Sequence, residues 1–520
     1  MRPQHLVLVT CLFAPACKTS LPPQDTPPAT VAPEPPPPVV DSTPAPIPAP
    51  EVWVGRVELL GGRLDFAARL EADPHKPGAW RGRMDIPAQG VKDFPLSDIR
   101  LAPDAVEFTL APPGAPEAQH AIFIAERTAS APEAAGLLTQ NGQTYKLTLR
   151  RLPPGESPQF TPRRPQEPKP PFPYLTRELT YTSEADKVTV ACTFTAPAAT
   201  SEPPPKFPGV VLLTGSGAQD RDEAIMGHKP FAVLADHLTR AGVATLRCDD
   251  RGVGGTGGKL ASTPHKTQAQ DARGALTLLT AQPEVDAAHA GLLGHSEGAN
   301  IAMLAAAADR RVAFVVLLAG MGVTGREILP MQMAALFRAQ GASEDKLTAM
   351  VAAEDKLLDA LMARKKPARA ELEKLTSELA SQQIAATRDS PPPSPELLAQ
   401  IIKQTLDAFD TVAMHDLLRH DPRAPLKKLK KPPVLALNGG LDLQVPPAEN
   451  LGRIEQALKA AGNKDVTLKT LPGLNHLFQH AKTGGIEEYS DIEETIAPEV
   501  LSEVSSWILA RTRPAAPPTK

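Results

Sequence analysis

The sequence predicts an α/β fold with a mostly parallel sheet, preceded by a small antiparallel β domain. After residue 174, short apolar runs alternate with helical patterns, which is typical of a parallel sheet with helices on both faces. Between 51 and 152, apolar residues recur at every second position, which indicates half-buried strands. The 520 residues are 42% hydrophobic, enough for a large core. We therefore expect a β domain at 51–152, a proline-rich linker at 153–173 and an α/β domain at 174–513.

The first 50 residues show no globular pattern. Arg2 precedes an apolar run at 6–16 that is too short to span a bilayer, and we interpret 1–16 as an export signal. Residues 14–17 (APAC) fit either an Ala-x-Ala cleavage site or a degenerate lipobox, and the proline-rich tether at 17–50 favours lipidation of Cys17. We expect an outer-membrane or cell-envelope lipoprotein held to the membrane at Cys17, or otherwise a periplasmic or secreted protein.

The sequence of the β domain predicts strands and turns but contains no Ser/His/Asp set and no metal-ligand spacing. Leu64, Phe66, Ala68 and Leu70 alternate with polar or small neighbours, and the dipeptides at 61–62 (GG) and 141–142 (NG) are typical of hairpin turns. The pattern predicts a sandwich or a partial barrel. The net charge of -4 and pI near 6.3 give no electrostatic footprint for nucleic acid, and we expect no nucleic-acid partner.

The α/β domain begins with two strands at 175–182 and 187–196, predicted to form a hairpin. A buried strand at 209–213 then ends in the tetrapeptide TGSG at 214–217, just beyond the carboxyl end of the strand, where such sheets place ligands. The backbone N–H of Ser216 is the first candidate for one half of an oxyanion hole, and Gly217 is the alternative. The charged run DRDE at 220–223 follows; such a run is usually solvated, but beside a pocket its residues could pair among themselves and fix this loop.

The next strand, at 244–248, leads into DDRGVGG at 249–255. No Lys-Ser/Thr pair follows these glycines, so a phosphate loop is not expected. We interpret the segment as a tight turn braced by an Asp250–Arg251 network. Cys192 and Cys248 form a disulfide if their strands are neighbours, or else remain free thiols.

The pentapeptide GHSEG at 294–298 lies between an apolar run at 290–293 and an alanine-rich segment at 299–308. A strand, a turn with glycine at both ends and a helix in this order predict a nucleophile elbow that exposes the hydroxyl of Ser296. The backbone N–H of Glu297 would then supply the second oxyanion donor.

A helical insertion at about 322–430 interrupts the alternation, and we interpret it as a cap. The sheet resumes at 433–438, and Asp442 follows on the next loop, where a triad acid belongs. After a last strand at 466–471 comes His476, with His480 as the alternative base. The chain order Ser296, Asp442, His476 matches that of serine hydrolases with a nucleophile elbow.

Four motifs in order resemble those of the bacterial α/β-hydrolase carboxylesterases: GSGAQDRDE at 215–223, DDRGVG at 249–254, GHSEG at 294–298 and GLNHLF at 473–478. The segment DIPAQG at 85–90 is similar to the N-terminal domain that some of these esterases carry. The resemblance implies an α/β-hydrolase sheet, a serine nucleophile, no metal and no organic cofactor, and activity on short carboxylic esters. Cys248 stands where an aromatic residue is expected.

The expected reaction is hydrolysis of a small-molecule ester through an acyl-enzyme. A peptidase, an acyltransferase or a thioesterase would use the same residues, and a non-catalytic surface binding protein is a different class. Release of an amine, transfer of the acyl group to an alcohol, or failure to react with a fluorophosphonate would separate these alternatives.

Overall fold

The computed structural model describes residues 49–512, except 60–61, 90, 113–115, 129–130, 141–142, 160–162, 200, 203, 366 and 387–394. The chain divides into two compact units between residues 160 and 161. The predicted signal, Cys17, most of the tether and the dipeptide at 141–142 lie outside the described residues. None of the helices in the described part of the chain has the length and hydropathy of a membrane span.

The first unit is a closed antiparallel barrel rather than the predicted sandwich or partial barrel. Each strand pairs with the next, and the first also pairs with the last, where Gly55 lies opposite Leu149. Closure leaves no free sheet edge. Within the described residues its strands are β1 Glu51–Leu59, β2 Gly62–Ala72, β3 Trp80–Ile86, β4 Val91–Leu101, β5 Ala105–Leu110, β6 Ala121–Arg127, β7 Glu133–Gln140 and β8 Gln143–Arg151.

The interior of the barrel is filled by side chains. The rings of Phe66 and Phe123 lie 5.0 Å apart, and Phe123 stacks on Phe108 at 4.8 Å. A Cβ atom at Gly55 would lie 2.0 Å from the ring of Phe66, so this strand needs glycine to let the ring occupy the centre. The alternation of apolar residues thus produces a packed core, as expected for a barrel of this size.

The second unit contains a sheet with the order β16-β15-β14-β13-β11-β12-β10-β9. The strands β11 to β16 are parallel to their neighbours among themselves, whereas β9 and β10 form the predicted hairpin at one edge. The described strands are β9 Tyr174–Thr182, β10 Thr189–Pro197, β11 Phe207–Leu213, β12 Ala244–Cys248, β13 Val285–His295, β14 Val315–Leu318, β15 Val434–Gly439 and β16 Val466–Leu471.

Helices cover both faces of this sheet and form the insertion. The described helices are α1 Pro230–Ala241, α2 His265–Thr280, α3 Glu297–Ala308, α4 Gly325–Ala339, α5 Glu344–Met362, α6 Arg369–Ala386, α7 Pro395–Phe409, α8 Val412–Arg419, α9 Arg423–Leu426, α10 Pro447–Ala461 and α11 Pro498–Thr512. In α11, Val500, Val504, Trp507 and Ile508 are buried, as their spacing predicts. Because β11, β13, β15 and β16 are parallel, the loops that follow them lie at the same end of the sheet, where the carboxyl ends of these strands meet.

Between β14 and β15 the structure has a helical insertion formed by α4 to α9, and its role as a cap stays a prediction. Met333, Met350 and Leu358 are buried in an apolar cluster that the insertion builds largely from its own helices. Most of its apolar periodicity therefore serves packing between cap helices. The prolines at 391–393 lie outside the described residues.

The predicted linker at 153–173 extends too far toward the C-terminus. Arg164 donates hydrogen bonds to the carbonyls of Ser490 (2.9 Å) and Ile492 (2.8 Å). Gln166 accepts from the N–H of Thr495 (2.6 Å) and donates to the carbonyl of Ile496 (2.7 Å). The segment from residue 163 onward is therefore part of the α/β unit, a contact that proline content alone cannot reveal.

Cys192 and Cys248 face each other on the antiparallel strands β10 and β12, and they form a disulfide. The sequence left this pairing open because it depended on which strands are neighbours. The bond joins the edge hairpin to the parallel part of the sheet.

Candidate active site

Ser296 occupies the turn between β13 and α3 in a strained conformation, with φ 53° and ψ −120°. A non-glycine residue in this region costs about 1–3 kcal/mol and is held there by its surroundings. Its backbone N–H donates to the carbonyl of Leu318 at 2.8 Å, which ties the turn to β14. The geometry is that of a nucleophile elbow, and Ser296 is half-buried in it.

The glycines on either side of the turn are required by close backbone contacts. A Cβ at Gly294 would lie 2.1 Å from the carbonyl oxygen of Gly298, and a Cβ at Gly298 would lie 2.2 Å from that of Leu213. The second contact brings the end of β11 against the elbow. The loop after β11 therefore lies beside Ser296.

The predicted acid and base are brought together. Asp442 follows β15 and His476 follows β16, and Nδ1 of His476 lies 2.8 Å from Oδ2 of Asp442. Both side chains are buried. The other carboxylate oxygen accepts from the N–H groups of Gln444 (2.9 Å) and Val445 (2.8 Å), so the loop itself orients the acid. This arrangement fixes the orientation of the His476 ring, with Nδ1 facing the acid.

His476 is also tied to the nucleophile strand. Nε2 of His295, the residue before Ser296, lies 3.0 Å from the carbonyl oxygen of His476, and the two rings are 4.9 Å apart. Within the described chain the hydroxyl of Ser296 has no hydrogen-bond partner.

The three candidate oxyanion residues lie next to the nucleophile. Glu297 is the first residue of α3, and such a residue has no intrahelical acceptor for its N–H. A Cβ at Gly215 would lie 3.4 Å from the Cβ of Ser296, which places Ser216 at the same site. The N–H of Gly215 is already bonded to Oε1 of Glu223 at 2.6 Å. Gly217 has φ 93°, in the left-handed region that favours glycine.

The side chain of Glu297 belongs to a buried cluster that sequence reasoning missed. Nε2 of His265 lies 2.5 Å from Oε1 of Glu297, and the backbone N–H of His265 donates to Asp416 on the cap helix α8 at 2.7 Å. Ser216 also hydrogen-bonds the Glu297 carboxylate. The only signal for this cluster was the acidic residue inside the elbow motif; its partner lies 32 residues away and shows no spacing rule.

Burial and charge set the protonation of this cluster. Burial raises the pKa of Glu297, but the hydrogen bond and charge of His265 outweigh it, so that the pKa lies below its usual value. Burial lowers the pKa of His265, but Glu297 and then Asp416 raise it above its usual value. Burial and the neighbouring His265 lower the pKa of His420 to about 4, which leaves that ring neutral. His265 and Glu297 therefore form an ion pair.

The charged run at 220–223 forms its ion pairs with other segments, and within the run the carboxylate of Asp220 accepts from the N–H of Asp222 at 3.0 Å. Arg221 binds Asp249 at 2.7 Å, and Asp222 accepts from Arg247 at 2.9 Å. Glu223 accepts from His295 at 2.9 Å. The run therefore connects the loop after β11 to β12 and β13. Its residues form a turn, closed by the hydrogen bond from the N–H of Glu223 to the carbonyl of Asp220 at 2.9 Å, which directs successive side chains toward different neighbours.

The predicted Asp250–Arg251 network is wrong. Asp250 accepts from the N–H of Gln219 at 2.9 Å and from the hydroxyl of Thr214 at 3.0 Å, and burial raises its pKa to about 8. Arg251 instead binds Asp271 at 2.6 Å, together with Asp186. Asp250 thus supports the loop after β11 that carries Ser216 and Gly217, called the oxyanion loop below for its candidate role, while Arg251 anchors the other side of the turn to α2.

The alternative base His480 lies on the surface. Its side chain is 56% exposed, and its two ring nitrogens lie 3.0 Å from carboxylate oxygens of Glu494 and Glu499. It therefore belongs to a surface ion-pair cluster. Among the described residues, no group of three or more His, Cys, Asp or Glu side chains is placed to hold a metal ion.

Residues 228–482 match the family model Hydrolase_4, described as "Serine aminopeptidase, S33". The match spans Ser296, Asp442 and His476. No curated protein matches the chain. The match and the sheet order agree in giving this unit an α/β-hydrolase fold, and the family supports a hydrolase.

Several solved structures are similar at low identity. They include the Pyrococcus furiosus esterase Pf2001 (16% identity, TM-score 0.39, 68% of this chain and 99% of that chain), Est1E from Butyrivibrio proteoclasticus with bound ferulic acid (15%, 0.36, 64% and 98%), and the α/β hydrolase GrgF from Penicillium sp. sh18 (15%, 0.38, 65% and 99%).

Proposed function

We propose that the protein is a serine carboxylesterase that hydrolyses short-chain carboxylic esters with Ser296, His476 and Asp442 as its triad. The observation that carries this proposal is the 2.8 Å contact between His476 and Asp442 at the sheet edge where Ser296 occupies a strained turn. A nucleophile, a base and an orienting acid at one edge are what acyl transfer requires.

The reaction follows from these positions. Nε2 of His476 takes the proton of Ser296, and the serine oxygen attacks the acyl carbon. Asp442 accepts the Nδ1–H of His476, which holds the required tautomer and stabilises the imidazolium. The N–H groups of Glu297 and Ser216, with Gly217 as the alternative, receive the oxyanion at about 3 kcal/mol per donor. His476 then protonates the leaving alcohol, and water hydrolyses the acyl-enzyme.

The cap is the proposed wall of the acyl pocket. The amide of Gln332 on α4 lies 3.3 Å from that of Gln444, two residues after the acid Asp442. Asp416 on α8 holds the backbone of His265, whose ring bonds Glu297. Both contacts support a cap seated next to the catalytic loops, where it would limit the length of the acyl chain.

The proposal is tested by a fluorophosphonate probe and a panel of acetate, butyrate and longer esters on the purified protein. We expect labelling at Ser296 and faster turnover of the short esters, with Ser296→Ala abolishing both. A folded wild-type protein that the probe does not label would instead favour the non-catalytic surface binding protein.

The second candidate is a serine peptidase, which the description of the matched family favours. The same triad cleaves amides, so the discriminating measurement is the rate on aminoacyl amides with a free N-terminus compared with that on esters of the same acyl group. An amide rate equal to or above the ester rate would make the protein a peptidase. Acyl transfer to an added alcohol, or preference for thioesters, would indicate an acyltransferase or a thioesterase.

We also propose that the protein is exported and anchored to a membrane through a lipid on Cys17. The basis is the APAC segment at 14–17, followed by the proline-rich tether. Mass spectrometry of the protein from membranes should find a lipid-modified Cys17 as the first residue. A free, unmodified Cys17 at the mature N-terminus would instead make it a soluble periplasmic or secreted enzyme.

A further inference from the structure

A third buried pair of histidine and carboxylate, after His476–Asp442 and His265–Glu297, adjoins both Ser296 and His476. Glu223 and His295 are both buried, and Oε1 of Glu223 lies 2.9 Å from Nδ1 of His295. Glu223 is on the loop after β11, in a left-handed conformation with φ 54°, and His295 is the last residue of β13. The reaction proposed above uses neither side chain.

The pair connects the three loops that carry the catalytic groups. Oε1 of Glu223 accepts from the N–H of Gly215 at 2.6 Å, which holds the oxyanion loop. Nε2 of His295 lies 3.0 Å from the carbonyl oxygen of His476. This contact holds the loop after β16, called the base loop because it carries His476. His295 itself precedes Ser296. Two side chains thus link the oxyanion donors, the nucleophile and the base.

The contacts of Glu223 and His295 restrict which of their side-chain atoms can carry a proton. A carbonyl oxygen only accepts, so Nε2 of His295 must donate to His476 and carry hydrogen. Nδ1 faces a carboxylate oxygen, so one further proton lies between Nδ1 and Glu223. Histidine has the higher intrinsic pKa of the two, which places that proton on the ring. The result is an imidazolium beside an ionised carboxylate.

We propose that Glu223 and His295 form a permanently charged positioning pair that aligns the oxyanion loop, the elbow and the base loop. This inference rests on the proposed function for its catalytic consequence. The groups that face His295 are Glu223 at Nδ1, the carbonyl and ring of His476, the more distant Asp442, and the ring of Phe478 at 6.4 Å. Burial lowers the pKa of His295, but the charge of Glu223 and its hydrogen bond outweigh burial and raise it.

A charged pair suits this position for a physical reason. His476 becomes an imidazolium during the reaction, and an uncompensated cation 4.9 Å from its ring would oppose that step. Glu223 cancels the charge of His295 while both keep their hydrogen bonds. The raised pKa of His295 keeps its ring protonated to a higher pH than that of a free histidine, so the contact with Glu223 persists over a wider pH range.

The first test is nuclear magnetic resonance of the full chain with ¹⁵N-labelled histidine rings. We expect the ring of His295, assigned by the loss of its signals in His295→Gln, to keep both nitrogens protonated between about pH 6 and 8. The ring of His265, which pairs with Glu297, can also stay protonated, and the assignment separates the two. A neutral His295 with one unprotonated nitrogen would overturn the proposal. This measurement needs no substrate, so its result is independent of whether the protein is an esterase.

The second test uses Glu223→Gln, which keeps an acceptor for Gly215 but removes the countercharge. We expect kcat to fall about 10- to 100-fold with KM little changed, as for a small misplacement of catalytic groups, and His295 to titrate within the measured range. The matched control is Asp286→Asn, which alters a surface pair at 2.7 Å to His289 and should leave kcat unchanged. An unchanged kcat and a His295 that still does not titrate in Glu223→Gln would contradict the positioning role.

Discussion

His265 and Glu297 join the second helix of the α/β unit to the residue that directly follows the nucleophile, with Nε2 of His265 2.5 Å from the Glu297 carboxylate. Both side chains are withdrawn from solvent, so each needs the other to remain charged. The backbone of Glu297 is a candidate oxyanion donor, and its side chain therefore influences the position of that donor.

The first prediction is a pH window for the stability that this pair contributes. The pKa of His265 is raised, so its contribution is complete below about pH 6.5 and is lost as pH rises through the folded value. The pKa of Glu297 is lowered, so its contribution is complete above 4.5 and is lost as pH falls through the folded value. The pair should therefore stabilise most between about pH 4.5 and 6.5.

Glu297→Gln should lower the free energy of unfolding by about 2 kcal/mol in that window, because a buried histidine loses its countercharge. The measurement is urea unfolding at several pH values. Glu499→Gln, which alters the exposed partner of His480, is the control and should change little. Equal losses at pH 5.5 and well above the window would argue against an ion pair.

The second prediction concerns Gly298, where a Cβ would lie 2.2 Å from the carbonyl oxygen of Leu213. Gly298→Ala should cost about 3 kcal/mol or more of stability and reduce turnover, because the oxyanion loop must move away from Ser296. Gly452 on α10 is the control, since a Cβ there meets nothing within 4 Å. Gly452→Ala should stabilise by about 0.5–1 kcal/mol. Similar melting temperatures for the two variants would refute the packing argument.

The third prediction separates the triad from its neighbour. Ser296→Ala and His476→Ala should each lower kcat by about 10⁴- to 10⁶-fold, because nucleophile and base act as one unit, and Asp442→Ala by somewhat less. His480→Ala should remain within about tenfold of the wild type, since its ring contacts only surface carboxylates. The assay is hydrolysis of one short ester by variants with confirmed thermal melts. An inactive His480 variant beside an active His476 variant would reassign the base.

The fourth prediction places the start of the catalytic unit at residue 163. A chain that begins there should fold and hydrolyse a small ester, because the triad and the candidate oxyanion loops all follow. A chain that begins at residue 171 loses the hydrogen bonds of Arg164 and Gln166 to the 490–496 segment, worth about 1 kcal/mol each. Its melting temperature should fall by several degrees, and Gln166→Ala in the full chain should show part of that loss. Equal melting temperatures for the two truncated chains would return the boundary to the predicted position.

Much of the fold could be predicted from local patterns. The alternation of strands and helices, the edge hairpin, the helical insertion and the last helix all follow from apolar periodicity, which depends only on neighbours along the chain. The elbow was equally local, because the glycines, the serine and the following helix lie within a few residues. The positions of Asp442 and His476 were predicted from the rule that the loops after parallel strands lie at the same end of the sheet.

Partners across the sheet could not be predicted. The sequence did not indicate that Arg251 reaches Asp271 rather than Asp250, that Glu223 binds His295, or that Glu297 faces His265. Each of these side chains has several possible partners of opposite charge, and the choice depends on strand order and on which face of a loop is buried. Closure of the barrel and the disulfide depended on the same long-range pairing. The sequence determined which elements form and where the reactive residues lie along them; only the tertiary structure decided which charges meet, because the free energy of a buried ion pair depends on distances that strand packing sets.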